Sequence, residues 1–207
     1  MSSSSAEEAY LAHVTYDLIL SPAISKLEAK NRLSVSKLRS ALLQAEQEHC
    51  GFALELVRFI RSRSELDIDL QEVFLRLHKH APNDDLQLNR AQPLLAALSD
   101  CAIMLRLILS RIPDEIGDRR KFLDTIKEIA SSIKRLLDAT NSLIMALPED
   151  NPVEARKRDF VKYSKRFSNT LKDFFRGERD TVVFKSANQL IYQTMLIIKV
   201  VREKVVL

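Results

Sequence analysis

The sequence predicts an all-α protein. Only 3 glycines and 6 prolines occur in 207 residues, so residues that interrupt helices are scarce. Apolar residues recur at steps of three and four through most of the chain, which is the period of an amphipathic helix. Alternating apolar stretches joined by turn pairs such as Asn-Gly, which would indicate β-hairpins, do not occur.

The first part of the chain predicts short helices. Ser21-Pro22 is expected to end the first of them, Ser34 to cap the third, and Gly51 to break the chain after it. Several of these helices carry apolar residues on more than one side and need a large buried face. We expect a helical domain over 7–80 that buries part of itself against a partner chain; docking on the C-terminal half is the alternative. The predicted helices are 7–20, 22–30, 34–48, 52–61 and one through 70–77.

The polar run HAPNDDLQLNRAQP predicts a linker at 81–93. Beyond it the apolar spacing predicts four longer helices, joined by short loops that favour antiparallel neighbours. The predicted fold of 94–207 is therefore a four-helix bundle. Its helices are expected at 94–110, 112–145, 153–175 and 181–204. Gly177 is expected to end the third, and its phenylalanines at 160, 167, 174 and 175 are expected in the core.

The helix that begins at Ile112 has the clearest signals. Pro113 suits a first helical turn, and Asp114 and Glu115 place negative charge at the positive end of the helix dipole. Beside its apolar face runs a basic stripe at intervals of seven residues, and the next long helix repeats that spacing. The two stripes are Arg120, Lys127 and Lys134, and Arg158, Lys165 and Lys172.

The stripes predict a groove between two antiparallel helices. Small residues, including Ala130 and Ser168, lie among the cations and would leave the groove open. An apolar floor with basic rims suits an acidic amphipathic helix, whose leucines would fill the floor while its carboxylates meet the rims. The alternative is that these cations are solvated and pair with acids at helical spacing, such as Asp124 or Glu128.

Charge divides the chain unevenly. Residues 1–105 carry 11 Lys and Arg against 14 Asp and Glu, whereas residues 106–207 carry 21 against 14. The C-terminal half is therefore expected to face partners. Acids interleaved with the bases argue against nucleic acid. The apolar stretches are judged too short or too charged to span a bilayer, and an intracellular location is expected.

Chemistry-bearing motifs are absent from the sequence. No nucleotide-binding glycine loop, metalloprotease helix or nucleophile elbow is present, so we expect no enzyme, no cofactor and no metal. The four histidines do not form a ligand set and are interpreted as surface or cap residues. Cys101 occupies an apolar position and is expected in the core.

Several runs resemble a known family. SRIPDEIGDRRKFLDTIKEIASSIKRLLD, FVKYSKRFSNTLKDFF and SANQLIYQT are similar to the C-terminal domain of the cerebral cavernous malformation 3, or programmed cell death protein 10, family. SKLEAKNRLSVSKLRSALLQAEQEHCG is similar to its N-terminal domain. The likeness covers most of 106–196 and, more weakly, 10–80.

The resemblance implies a non-catalytic cytoplasmic scaffold and leaves association with the Golgi or plasma membrane open. Its N-terminal domain would form a homodimer, or a heterodimer with Ste20-like kinases of germinal-centre class III. Its C-terminal bundle would be similar to focal adhesion targeting domains. That bundle would bind striatin within the STRIPAK phosphatase assembly, the cerebral cavernous malformation 2 adaptor, and paxillin-type leucine–aspartate motifs. A peripheral membrane module that binds anionic phosphoinositides through the basic face is the alternative.

The resemblance also assigns residues. The family's groove lysines fall on Lys127, Lys134, Lys165 and Lys172, and two small groove residues fall on Ala130 and Ser168. Arg120 and Arg158 extend the stripes by spacing alone. The family's dimer positions fall on Leu38, Ala41 and Ile60; a fourth, leucine in the family, falls on Arg61, a departure that bears on partner preference.

Overall fold

The computed structural model describes residues 11–148 and 151–204. Within these ranges the regular secondary structure is helical and no strand occurs, which confirms the predicted all-α class. The chain divides into two compact units, one ending at Asp69 and the other beginning at Leu70. The start of the first predicted helix, at 7–10, lies outside the described residues.

The first unit is built from short helices. Residues 11–15 are helical and lead into a π-helical segment. Two longer helices follow and contact each other. The π-helical segment is Tyr16–Leu20, and the α-helices are α1 (Ser21–Ser25), α2 (Arg32–Glu48) and α3 (Phe52–Arg63).

The predicted helix end at Ser21-Pro22 is wrong. Ser21 keeps helical dihedral angles, and its N–H donates to the carbonyl of Tyr16, five residues earlier. This wide turn precedes Pro22, which then stands in the first turn of α1, where a helix does not need its missing N–H. The π-helical segment therefore lets the chain carry a proline without breaking.

Local signals define both ends of α2. Asn31, rather than the expected Ser34, is the N-cap, and its side-chain oxygen accepts from the Ser34 N–H at 3.0 Å. After α2, Gly51 takes a φ of +94°, a left-handed conformation that a side chain would strain. The carboxylate of Glu46 accepts from the N–H groups of Gly51 and Ala53, both at 2.7 Å, and fixes the turn into α3.

The second unit contains the four long helices that the sequence predicts, with two shorter ones. Asn151 caps the third long helix through the N–H of Glu154, and Gly177, with a φ of +112°, follows its end as expected. The helices are α4 (Leu70–His78), α5 (Pro93–Leu109), α6 (Ile112–Glu115), α7 (Arg119–Met145), α8 (Pro152–Phe174) and α9 (Asp180–Lys204).

The single helix expected over 112–145 is two helices. Pro113 and the two acids after it do begin a helix, but α6 ends at Glu115. The chain then restarts at Asp118, whose side chain accepts from the N–H groups of Arg120 and Lys121 at 3.0 and 3.1 Å. An aspartate at this position is a strong N-cap, so it sets the start of α7.

The four long helices bury one continuous apolar core. The ring of Phe122, near the start of α7, lies 5.7 Å from that of Phe174 at the end of α8, so these two helices run antiparallel. Phe160 and Phe167 are buried as predicted. Phe174 is only half-buried and Phe175 is 41% exposed, which corrects the expectation that all four phenylalanines are core residues.

Helix α4 belongs to the second unit, although the sequence placed it in an N-terminal domain over 7–80. Phe74 and Leu75 on α4 are fully buried. The side chain of Asn188 on α9 donates to the carbonyl and the side-chain oxygen of Gln71 at 2.9 and 2.8 Å. Arg76 forms an ion pair with Asp114 of α6. The division between the units therefore falls before α4.

The segment interpreted as a linker, 81–93, is also part of the second unit. Leu86 is fully buried in its core. Arg106, 1% exposed, donates to the carbonyls of Ala81 and Pro82 and to side chains of the segment. Arg202 donates to three further backbone carbonyls, each at 2.9 Å. Two arginines thus hold a polar segment in place, because they satisfy carbonyls that would otherwise lack partners.

By length and composition alone, the run Pro93–Glu115 could cross a bilayer, with a mean hydropathy of 1.7, contrary to the expectation that no such stretch exists. Half of the most apolar stretch of this run is buried inside the unit, as in the core helix of a bundle. The buried guanidinium of Arg106 also lies in it and is bonded to Asp85. The run is accordingly weak evidence for a membrane span.

Candidate partner-binding surfaces

The first unit exposes large apolar side chains. Helix α2 has 17 residues, yet Val35 is the one side chain on it that is buried. Large apolar side chains exposed in this number on one small unit are typical of an interaction site. The exposed large apolar residues of this unit, which we call the N-terminal apolar face, are Leu27, Leu33, Leu38, Leu43, Phe59, Ile60, Leu66 and Ile68.

The residues that the resemblance assigns to dimerisation lie within or beside this face. Leu38 is 44% exposed and Ala41 is exposed three residues further along α2, so both lie on one side of the helix. Ile60, on α3, is 52% exposed. Arg61 is exposed too, and its guanidinium donates to the carbonyl of Ile68 at 3.2 Å. Their role in dimerisation stays a prediction.

In the second unit, α7 and α8 pack side by side. Along α7 the side chains between the core and the basic stripe are half-buried, as at Ile126 and Ile133, and Ala130 is exposed. On α8 Ser164 is half-buried and Ser168 is exposed. We call the strip between the two helices the α7/α8 groove; that small and partly covered residues form its floor stays a prediction.

The four predicted groove lysines, Lys127, Lys134, Lys165 and Lys172, are all exposed. Lys127 forms an ion pair with Asp124 at 2.8 Å, with both side chains largely in water. The hydrogen bond from Lys127 lowers the pKa of the Asp124 carboxyl below its usual value. Among the residues that the structure describes, the other three lysines form no ion pair. Among the described residues, pairing with a neighbouring acid in solvent is therefore found for Lys127 and for none of the other three groove lysines.

The two arginines added by spacing are exposed as well. Arg120 lies in the first turn of α7. Arg158 lines a shallow surface depression on α8 together with Lys165. The other residues that line this depression are Val161, Lys162, Arg166 and Asn169. The sequence did not single out Lys162 or Arg166, although both lie at helical spacing from Arg158.

Comparison with known proteins gives three matches. Residues 8–67 match the family model of the programmed cell death protein 10 dimerisation domain, and residues 68–173 match that of the C-terminal part of the same protein. A programmed cell death protein 10 homolog of Caenorhabditis elegans is 42% identical over 208 residues, which cover 96% of this chain and 97% of the relative.

The chain belongs to the programmed cell death protein 10 family. The boundary between the two matched regions, at residues 67 and 68, lies next to the structural boundary after Asp69. Membership, with residues 8–67 matching a dimerisation domain, supports the role of an adaptor or scaffold that pairs with itself or another protein. The programmed cell death protein 10 family is a family of non-catalytic adaptors.

The histidines and Cys101 lie where the sequence predicts, with one exception. Within 11–148 and 151–204 no group of three or more His, Cys, Asp or Glu side chains could hold a metal ion. His78, expected at the surface, is 2% exposed, and burial, followed by the charge of Arg106, lowers its pKa to about 3. Cys101 is buried as expected, and burial raises the pKa of its thiol.

Proposed function

We propose that this protein is a scaffold with two protein-binding surfaces. Its N-terminal apolar face pairs with a second copy or with the tail of a Ste20-like kinase of germinal-centre class III. Its α7/α8 groove binds acidic, leucine-bearing helices, such as those of a striatin, a cerebral cavernous malformation 2-type adaptor or a paxillin. The proposed setting is the cytoplasm, within the STRIPAK phosphatase assembly.

The observation that carries the pairing is the exposure of α2. A helix of 17 residues with one buried side chain gains too little from its own domain to account for its apolar content. Obligate interfaces are more apolar than ordinary surface, and a partner helix would remove side chains such as Leu33, 70% exposed, from water. Apolar burial of this kind stabilises association in proportion to the area covered.

A paired charge substitution tests the pairing. Leu38→Asp with Ala41→Asp places two carboxylates in the proposed interface, so light scattering should show loss of the dimer and a kinase tail should no longer co-purify. Ser142→Asp with Ala155→Asp is the matched control, because it adds the same charge at two exposed positions of the second unit. An unchanged mass together with intact kinase binding in the first variant would contradict the proposal.

The groove rests on its combination of floor and rim. Half-buried apolar residues such as Ile133 would meet the leucines of a bound helix, while the lysines would meet its carboxylates. Exposed charges at a rim raise the association rate and orient the partner, and the buried leucines supply most of the affinity. Binding should therefore weaken with salt mainly through slower association.

Charge reversal tests the groove. Changing Lys127, Lys134, Lys165 and Lys172 to Glu should abolish binding of an acidic leucine-bearing peptide while circular dichroism shows unchanged helicity. The control reverses the same number of exposed lysines elsewhere, at Lys26, Lys121, Lys199 and Lys204, and so matches the change in net charge. Equal affinity of both variants and the parent chain would refute a role for the groove.

A second candidate function is supported by the depression on α8. Arg158, Lys162 and Lys165 line it within three helical turns, and anionic phosphoinositides would suit such a basic surface. On this alternative, vesicles that contain phosphoinositide should bind the chain in proportion to their charge, and an acidic helical peptide should not compete. Competition by the peptide would favour the groove as the common site.

A further inference from the structure

Two exposed apolar side chains extend the α7/α8 groove at one end. Leu123 lies four residues before Lys127 on α7, and Phe175 lies three residues after Lys172 at the end of α8. At those spacings each residue continues the face of its lysine by one helical turn. Leu123 is 42% exposed and Phe175 is 41% exposed.

The two side chains belong to one preformed surface. Because α7 and α8 are antiparallel, the start of one helix meets the end of the other. The ring of Phe175 lies 6.0 Å from that of Phe122 and 5.4 Å from that of Phe174. The guanidinium carbon of Arg119 lies 6.0 Å from the centre of the Phe175 ring, and Arg119 and Leu123 are one turn apart on α7. We call Leu123 and Phe175, with Arg119 above the ring, the end platform.

The charges around the platform favour an acidic partner. Arg119 forms no ion pair with any residue in the described part of the chain, so its guanidinium is available. At the opposite end of the groove, the position one turn beyond Lys134 is Asp138, an exposed acid that would repel an acidic helix. On α8 that end also carries Arg158 and Lys162, so the two ends differ in their apolar side chains: Leu123 and Phe175 adjoin the lysines at the platform end.

We propose that the end platform is an anchor site for one large apolar side chain of the acidic helix that binds the groove. Leu123 precedes Lys127 by about 6 Å along the α7 axis, so the anchor side chain lies one turn outside the segment that the lysines hold. A carboxylate next to the anchor pairs with Arg119. Because the platform exists at one end, it fixes the direction of the partner helix. The proposal rests on the proposed function of the groove.

Three synthetic peptides of equal length test the platform. All share an acidic core that carries leucines at helical spacing, with an alanine turn on either side. In the second peptide a leucine replaces one alanine of the N-terminal turn, and in the third a leucine replaces one alanine of the C-terminal turn. We expect one of the two leucines, and not the other, to raise the affinity measured by calorimetry about five- to tenfold, as for a partly buried leucine.

Variants of the protein decide whether the gain comes from the platform. The gain in affinity should disappear in the double variant Leu123→Gln with Phe175→Gln. In Leu123→Gln alone the gain should fall at least about twofold. The Leu123 side chain is exposed, so this substitution leaves the aromatic cluster in place. Met145→Gln, 87% exposed at the far end of α7, should keep the full gain. Thermal melts check that each variant is folded.

Three results would overturn the proposal. If the core peptide binds and loses affinity on lysine reversal, but neither or both terminal leucines add affinity, the groove stands and the platform fails. If the parent chain binds none of the three peptides, the groove fails and the platform with it. A leucine gain that persists in the double variant would also place the anchor elsewhere.

Discussion

His78 should make the stability of the second unit fall as the pH drops below neutral. The side chain is 2% exposed on α4, and its pKa in the folded chain is lowered to about 3, first by burial and then by the charge of Arg106. In the unfolded chain an ordinary histidine titrates near 6.5. Between those two values the unfolded state binds a proton that the folded state does not, so protonation favours unfolding.

The size of the effect follows from the gap between pH and the unfolded pKa. Each unit below that pKa is worth about 1.4 kcal/mol. On lowering the pH from 7 to 5, the free energy of unfolding should therefore decrease by about 2 kcal/mol through His78. Stability from this residue is fully present above pH 6.5 and continues to fall until the pH approaches the folded pKa of about 3.

Urea unfolding followed by circular dichroism at pH 7 and pH 5 measures how much the free energy of unfolding decreases. Carboxylates contribute to the fall in every variant, so the comparison between variants isolates the histidine. His78→Gln should lose about 2 kcal/mol less than the parent chain over this interval. His80→Gln, exposed on the same segment, should behave like the parent. Equal losses in all three proteins would refute the idea that His78 is buried in its neutral form.

Two further substitutions test how the second unit is held together. Arg106→Met should lower the free energy of unfolding by about 1–3 kcal/mol, because it removes a buried guanidinium that donates to several partly covered acceptors. Arg90→Met, which breaks an exposed ion pair with Asp100, should cost about 0.5 kcal/mol or less in the same urea titration. Asp118→Ala should cost about 1 kcal/mol in thermal unfolding by removing the N-cap of α7, and no change would indicate that the helix start is set by packing.

Periodicity and breaking residues were enough to predict most of the helices. Two breaks set by glycine were predicted, at Gly51 and Gly177, where the chain takes a left-handed conformation. The sequence did not predict the division between α6 and α7, because the apolar residues before and after 116–118 keep the spacing of one helix. The N-cap signal of Asp118 was in the sequence and could have been weighed against that period.

The segment 81–93 shows where local patterns fail. Its aspartates and prolines are typical of a linker, and nothing within it predicts burial. It is ordered because Arg106 and Arg202, which lie far along the chain, donate to its backbone and side chains. An arginine inside an apolar helix was the available signal, since a buried guanidinium requires several acceptors and must have found them.

The basic stripes could be predicted from spacing alone, whereas the exposure of their neighbours could not. A leucine and a phenylalanine next to the apolar face of a helix are expected to be buried. They stay exposed only where the neighbouring helix ends before it reaches them. Leu123 and Phe175 sit at the start of one helix and the end of another, where the coverage of the bundle ends. Exposure at such positions depends on where several helices terminate, which is a property of the assembled unit.

The two units differ in a way that links partner choice to stability. The second unit has a continuous core, whereas the first leaves much of its apolar surface in water. A partner that binds the folded first unit stabilises it by about 2.7 kcal/mol at a hundredfold excess over the dissociation constant. On the proposed function, a second copy and a kinase tail compete for the same apolar face, so the tighter or more abundant partner also determines how much of the first unit is folded. Exchange of partners would then change the folded fraction of the first unit as well as the composition of the complex.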